Sequence, residues 1–284
     1  MIGDRSPRTV LHALGGVQHY KALFKAFSVY DNPPTRLVDY LFARGAYPTE
    51  IRLRTPVGMV SPTLYSSHDL LTVNEIFCRE DYTASADVKV VVDIGSNIGI
   101  SVLYFMSRNN HSRCYAFEPL PENLEKLRNN LHNFSSRVDI SPRAVADFSG
   151  TGRFGVEPTG RYCGLDLPLG SKIDVETVHI NDVLENVFSK EGAIDILKVD
   201  TEGAEIRTIT AIEGRFLRRI RHIYIEARPG YPLLPNYFKQ AQYGSVCRLS
   251  KPSSQDPFPI SIRKYRRVAS TKLSGISSAF TSRD

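Results

Sequence analysis

The sequence predicts an α/β fold, a mostly parallel sheet with helices on both faces, preceded by a mixed α/β N-terminal extension. Three observations carry this. From residue 88, short β-branched and aliphatic runs alternate with helical segments, as crossovers between parallel strands require. The first run, Val90-Val91-Val92-Asp93-Ile94, passes into Gly95-Ser96-Asn97-Ile98-Gly99 and then an apolar stretch to Met106: a strand, a tight turn and a helix in succession. Before residue 88 the pattern is amphipathic helices and a hairpin signal instead. By pattern, the chain divides into residues 1–86, residues 87–250 and a basic, Ser-rich tail, 251–284.

The elements follow in order. Val17, Tyr20, Leu23, Phe24 and Phe27 share a helical face, so an amphipathic helix is expected near residues 16–30, stopped by Asn32-Pro33-Pro34. A short helix follows from Arg36 to Ala43. Glu50–Thr55 and Met59–Tyr65 flank Pro56-Val57-Gly58 as a hairpin, and Leu70, Val73, Ile76 and Phe77 mark a helix ending before Asp81-Tyr82. In the sheet region the expected strands are Val88–Asp93, Arg113–Glu118, Val138–Val145 (interrupted near Pro142), Ile194–Asp200 and His222–Glu226. Pro121 opens one helix, where its missing amide costs little, and Gly214 is the expected stop of the helix carrying Ile206, Ile209 and Ile212. Residues 147–172 read as a loop or small hairpin over the sheet. Asp174–Ile180 reads as extended, Asn181–Phe188 as helix, and Tyr237–Gln242 as a helix followed by two short strands.

Composition narrows the function. The 42% hydrophobic and 23% charged content is that of a globular protein, and no apolar run approaches the ~20 residues that span a bilayer. The N-terminal residues lack a signal peptide's apolar core. The expectation is a cytoplasmic protein without a transmembrane segment, its four cysteines (Cys78, Cys114, Cys163, Cys247) reduced. The net charge of +6 suggests nucleic acid only until it is located. Residues 245–284 hold eight basic and two acidic side chains, and the preceding residues balance. The body is therefore no basic nucleic-acid surface, and no nucleic-acid partner is expected.

Acids end successive strands: Asp93, Glu118, Asp200 and Glu226. Ligands of open α/β sheets bind at those carboxyl ends. Glu118 lies 23 residues after Gly95, close to the offset at which an acid receives ribose hydroxyls. A dinucleotide would need a glycine where Asn97 stands, and Asp93 would repel its phosphates while favouring an ammonium group. A cofactor with a ribose, two positive centres and no phosphate suits this pattern: S-adenosylmethionine. Each acid also has a structural reading. Asp200 could cap the following helix, Glu202 and Glu205 could complement its dipole, and Lys198 could pair with Asp195 or Asp200. His68, His179 and His222 read as structural.

Three blocks, Val92–Gly99, Tyr115–Pro119 and Ile194–Glu205, resemble the FkbM-type family of S-adenosylmethionine-dependent methyltransferases, over roughly residues 69–230. The resemblance implies a Rossmann-like class I methyltransferase sheet. It places Gly95, Ser96, Asn97 and Gly99 at the methionine end of the cofactor, Glu118 and Pro119 at the ribose, and Val145 and Ala146, within Ala144–Asp147, beside the adenine. Asp200, Glu226 and Lys198 are the catalytic candidates, with no metal required. Residues 1–86 and the 147–172 segment form the substrate side. The implied acceptor is a small molecule or glycan hydroxyl, towards which Asp69–Phe77, similar to the lead-in of glycan-modifying members, also points. Ser96 departs from the Ala or Gly usual there. A nicotinamide-dependent oxidoreductase and a non-catalytic nucleoside-binding protein are the alternatives. Oligomeric state is not legible.

Overall fold

A computed structural model describes residues 17–42, 45–157, 160 and 162–252, with side chains from residue 22 onward. The basic tail lies almost wholly outside the described residues. Helices α1 (Val17–Val29) and α2 (Pro33–Phe42) come first. The apolar face expected of α1 is not the one that packs. Leu23, Phe24 and Phe27 are exposed, whereas Ala26, Val29 and Tyr30 are buried. The cause is tertiary: Tyr30 forms an antiparallel bridge with Leu53, which fixes the rotation of α1 about its axis. Strands β1 (Thr49–Glu50), β2 (Leu53–Thr55), β3 (Gly58–Val60) and β4 (Thr63–Leu64) form the expected hairpin, β2 on β3 and β1 on β4. Helix α3 (Ser67–Val73) starts on a capping box between Ser66 and Asp69 and continues as a π-helical turn, Asn74–Cys78.

The sheet region then alternates as expected. Strand β5 (Val90–Ile94) leads to α4 (Ile100–Met106), β6 (Arg113–Phe117), α5 (Pro121–Asn130) and β7 (Val138–Ser141). The strand expected over 138–145 is in fact two strands in two sheets. Pro142 has no amide to donate, and beyond it β8 (Ala144–Ala146) joins a smaller sheet. The 147–172 segment supplies β9 (Gly150–Val156) and β10 (Gly164–Leu165), an antiparallel pair that β11 (Ser171–His179) extends. Helix α6 (Ile180–Glu191), capped by His179, precedes β12 (Ile194–Val199). Helix α7 (Glu205–Thr210) stops before Gly214, which opens α8 (Gly214–Leu217) instead. The amide of Glu213 donates to Asn181 Oδ1, drawing the chain out of α7 early. After β13 (Ile220–Glu226) come β14 (Lys239–Tyr243) and β15 (Val246–Ser250). The helix expected at Tyr237–Gln242 is therefore a strand. Every side chain of β14 is exposed, so no apolar stripe favours a helix, and pairing with β15 satisfies the backbone groups on its inner side.

The central sheet has the order β14-β15-β13-β12-β5-β6-β7. Strands β5, β6, β7, β12 and β13 are parallel, and β15 runs antiparallel to β13. From β5 the chain winds outward through β6 and β7, and β12 and β13 then fill the other side. The order thus reverses between β5 and β12, and a crevice opens at their carboxyl ends. One face of the sheet packs against α4 and the N-terminal elements, through Tyr30, Leu53, Val91, Phe105 and Tyr224. The other packs against α6, α7 and α8 through Val92, Ile94, Leu184, Ile209 and Phe216. All seven residues of α4 are buried, so it is a core helix shared by the extension and the sheet. The four cysteines are buried and unpaired. Among the described residues, no helix is long and apolar enough to cross a membrane.

Candidate active site

The site is built on the turn after β5. Gly95 has φ 76°, and a Cβ there would stand 1.7 Å from the carbonyl oxygen of Asp200. Only glycine allows the ends of β5 and β12 to approach this closely, and the amide of Asp200 completes the join by donating to Ile94 O. Asn97 is also left-handed, at φ 49°. The amides of the turn are all engaged within the protein. Gly95 and Ser96 both donate to Phe117 O at 3.0 Å, and Gly99 donates to Ser96 O. Asn97 N donates to Glu118 Oε2 at 2.8 Å, and Ile98 N to Asn97 Oδ1. A phosphate seeking backbone donors finds none unpaired within Gly95–Gly99.

Beneath the turn lies a buried ion cluster. Lys198 Nζ stands 3.2 Å from Asp93 Oδ1, 3.3 Å from Asp200 Oδ2 and 2.9 Å from Gly95 O. Lys198 and Asp93 are essentially inaccessible. Burial opposes the lysine's charge, but Asp93 and Asp200 outweigh it and hold the ammonium protonated. Asp195 takes no part, because its carboxylate accepts from the amides of Lys89 and Val90. The helix-capping role considered for Asp200 is not seen, since α7 starts from Ala204 without a side-chain cap, and the Glu205 carboxylate instead accepts from the Thr201 and Gly203 amides and shapes the loop after β12. Among the described residues no cluster of His, Cys, Asp or Glu is arranged to hold a metal ion.

A cavity of about 350 Å³ opens above this cluster, within the range of small-ligand sites. Gly95, Ser96, Asn97, Glu118, Pro119, Val145, Lys198, Asp200 and Glu226 all line it. Asp93, Gly99 and Ala146 do not. Asp93 lies under the turn with Lys198 and accepts from the Ser96 hydroxyl, Gly99 faces Leu127 and Leu131, and Ala146 is in the core of the smaller sheet. Both segments assigned to the substrate side reach the cavity, the extension through Asp69, Thr72, Glu75 and Tyr82, the 147–172 segment through Phe154, Tyr162 and Leu165. Tyr82, Asn123 and Arg143 line it too and were not among the candidates from sequence. Tyr82 alone had a signal, its place at the end of the Asp69–Tyr82 lead-in.

Two cavity acids are perturbed upward. Burial pushes the Glu118 carboxyl to about 7, although the amides of Asn97 and Leu120 partly stabilise its charge. The charge of Asp200, then burial, pushes Glu226 to about 8. Glu226 remains open to solvent at the mouth. His222 is held neutral by burial, down to about 4, and its Nδ1 meets Ser250 Oγ, as a structural histidine would.

Among known families, the one described as Methyltransferase FkbM domain matches residues 93–244. The Asp69–Tyr82 wall of the cavity lies outside that match. The 31-O-demethyl-FK506 methyltransferase FkbM of Streptomyces tacrolimicus is 28% identical over 61% of this chain and 80% of its own length. The AMB antimetabolite synthetase AmbE of Pseudomonas aeruginosa is 25% identical over 54% of this chain, a span equal to 9% of that protein. Among solved structures, an O-methyltransferase family protein from Burkholderia thailandensis aligns with TM-score 0.36 at 12% identity, covering 67% of this chain and 57% of that one.

Proposed function

Since the chain belongs to the methyltransferase FkbM domain family, we propose that it transfers a methyl group from S-adenosylmethionine to a hydroxyl of a sugar, glycan or secondary metabolite. The strand order, reversing between β5 and β12, supports the Rossmann-like methyltransferase sheet. The observation that carries the cofactor assignment is the fate of the turn's amides. Each is consumed internally, one of them by Glu118, so the turn favours a ribose-bearing, phosphate-free cofactor over a nicotinamide dinucleotide. Relatives named as a 31-O-demethyl-FK506 methyltransferase and an antimetabolite synthetase support a small-molecule acceptor.

The residues present fit that cofactor. Glu118 accepts the amides of Asn97 and Leu120, one on each oxygen, and a side-chain hydrogen bond from Asn123, and still has acceptor capacity for a ribose hydroxyl. Val145 and Phe117 offer apolar surface for a base, and Asp200 and Glu226 favour positive charge. When bound, the cofactor supplies an activated methyl group on a sulfonium sulfur. Glu226, facing Asp200 across the mouth, takes up the proton of the acceptor hydroxyl. Lys198 has no lone pair to offer as a base while Asp93 and Asp200 hold it protonated. Its role is to position Asp200 and to anchor the Gly95 carbonyl.

Two measurements test this. Glu118→Ala should weaken binding of labelled S-adenosylmethionine at least about tenfold, since hydrogen bonds to a charged group are each worth ~1.5–3 kcal/mol. Unchanged affinity in a folded variant would remove the ribose assignment. Methyl transfer to a panel of glycans and lipid-linked acceptors, read as a mass increment of about 14 Da, should rise with pH through about 8. The sign follows from the base: protonated Glu226 cannot accept a proton, so the rate falls on the acid side. Glu226→Gln should lose that limb and roughly 10²–10⁴-fold in rate. A profile unchanged in the variant would assign the base elsewhere.

A further inference from the structure

Tyr82 stands out among the cavity residues. It comes from the extension, outside the matched residues 93–244, yet it lines the cavity beside Asp200 and Glu226 while only 3% exposed. Its ring is held in place from behind. Tyr224 meets it edge-on, with centroids 5.4 Å apart at 77°, and Phe105 packs at 6.1 Å. Tyr224 is itself fixed, its hydroxyl donating to Thr83 O and accepting from Thr83 N. The Tyr82 ring is thus preorganised by aromatic packing. Around it stand the carboxylates of Asp200, Glu226, Asp93 and Asp81 and the Lys198 ammonium, 6.0 Å from the ring centroid.

These features describe a place for a second positive centre that has no N–H to donate. An ammonium group would be drawn to the carboxylates and satisfied by them. A sulfonium cannot hydrogen-bond a carboxylate, and its charge, spread over attached carbons, is stabilised by an aromatic face. We propose that Tyr82 holds the sulfonium end of the cofactor through its ring, so that the extension supplies part of the cofactor site as well as the acceptor side. This rests on the S-adenosylmethionine reading above.

The test compares affinities for S-adenosylmethionine, whose sulfur is charged, and S-adenosylhomocysteine, whose sulfur is neutral, by calorimetric titration without any acceptor. Tyr82→Phe keeps the ring's negative face, and pentafluorophenylalanine at position 82 keeps its size while removing that face. The ratio of the two affinities should stay within about twofold in Tyr82→Phe. It should fall about five- to tenfold towards the neutral ligand in the fluorinated protein, the range expected of a desolvated cation–π contact. Affinity for S-adenosylhomocysteine should be unchanged in both, with matching thermal melts. An equal ratio in all three proteins, or an equal loss for both ligands, overturns the role of Tyr82 and leaves the cofactor reading standing. A wild-type protein that binds neither ligand overturns the cofactor reading itself.

Discussion

Gly95→Ala is expected to abolish detectable cofactor binding and to lower the melting temperature by roughly 10 °C or more. The added methyl would lie 1.7 Å from Asp200 O, which is backbone and cannot rotate aside. Either the turn or the end of β12 must move, and both carry cavity residues. Opening the Asp200 N–Ile94 O link and the paired bonds to Phe117 O adds to the clash. The sum belongs with the exceptional single substitutions, above about 4 kcal/mol, and each kcal/mol is worth ~2–4 °C in a chain of this size. Gly58→Ala is the control. It has a left-handed φ of 113° but nothing within 4 Å of the added carbon, so only the backbone strain of roughly 1 kcal/mol remains. Calorimetric melts and cofactor titration of the two variants separate clash from strain. Equal losses would show that the approach of β5 to β12 is not what the glycine serves.

Lys198→Met is expected to cost about 3–5 kcal/mol of folding stability, because it strands the buried Asp93 carboxylate and leaves Asp200 without its counter-charge. Urea unfolding followed by circular dichroism measures this directly. Burial already raises the proton affinity of Asp93, and Lys198 is what opposes it. Without the lysine, Asp93 should take up a proton, and the variant should recover stability as pH falls through the acid range. The double variant Asp93→Asn with Lys198→Met should regain part of the loss by removing the stranded charge. A single variant as stable as the wild type would mean that the cluster is better hydrated than its burial indicates.

How much of this was legible in the sequence depends on which force decides each element. The strands β5, β6, β12 and β13 were readable because a doubly covered strand is apolar over most of its length, as Val90–Val92 and Ile223–Ile225 are. The rotation of α1 was not readable, since its apolar residues exceed what one face can bury and the bridge from Tyr30 to Leu53 selects Ala26 and Val29. Segment 239–243 was misread because sequence alone did not reveal its partner strand, β15. In the site, the strand-end acids followed from topology alone. Of the ion partners of Lys198, Asp200 was readable from its place two residues on, whereas Asp93 was not, because it is 105 residues away and only the parallel register of β5 on β12 brings the two together. The place of Tyr82 in the cavity wall stayed hidden for the same reason, since its position at the end of the lead-in does not show where the extension folds back.

The wholly buried helix α4 has a consequence for how such a protein can change. Its residues Tyr104 and Phe105 meet Phe77 and Tyr82 of the extension directly. Phe77 belongs to the π-helical turn whose neighbours Glu75 and Ile76 line the cavity. The residues that would adapt to a new acceptor therefore sit one position away from those that build the shared core. Drift in substrate preference is not free to run through surface loops here, because most steps along that path also disturb a packed interior. Evolving a new specificity would require compensating exchanges on both sides of α4, and a grafted extension would have to bring its partners with it.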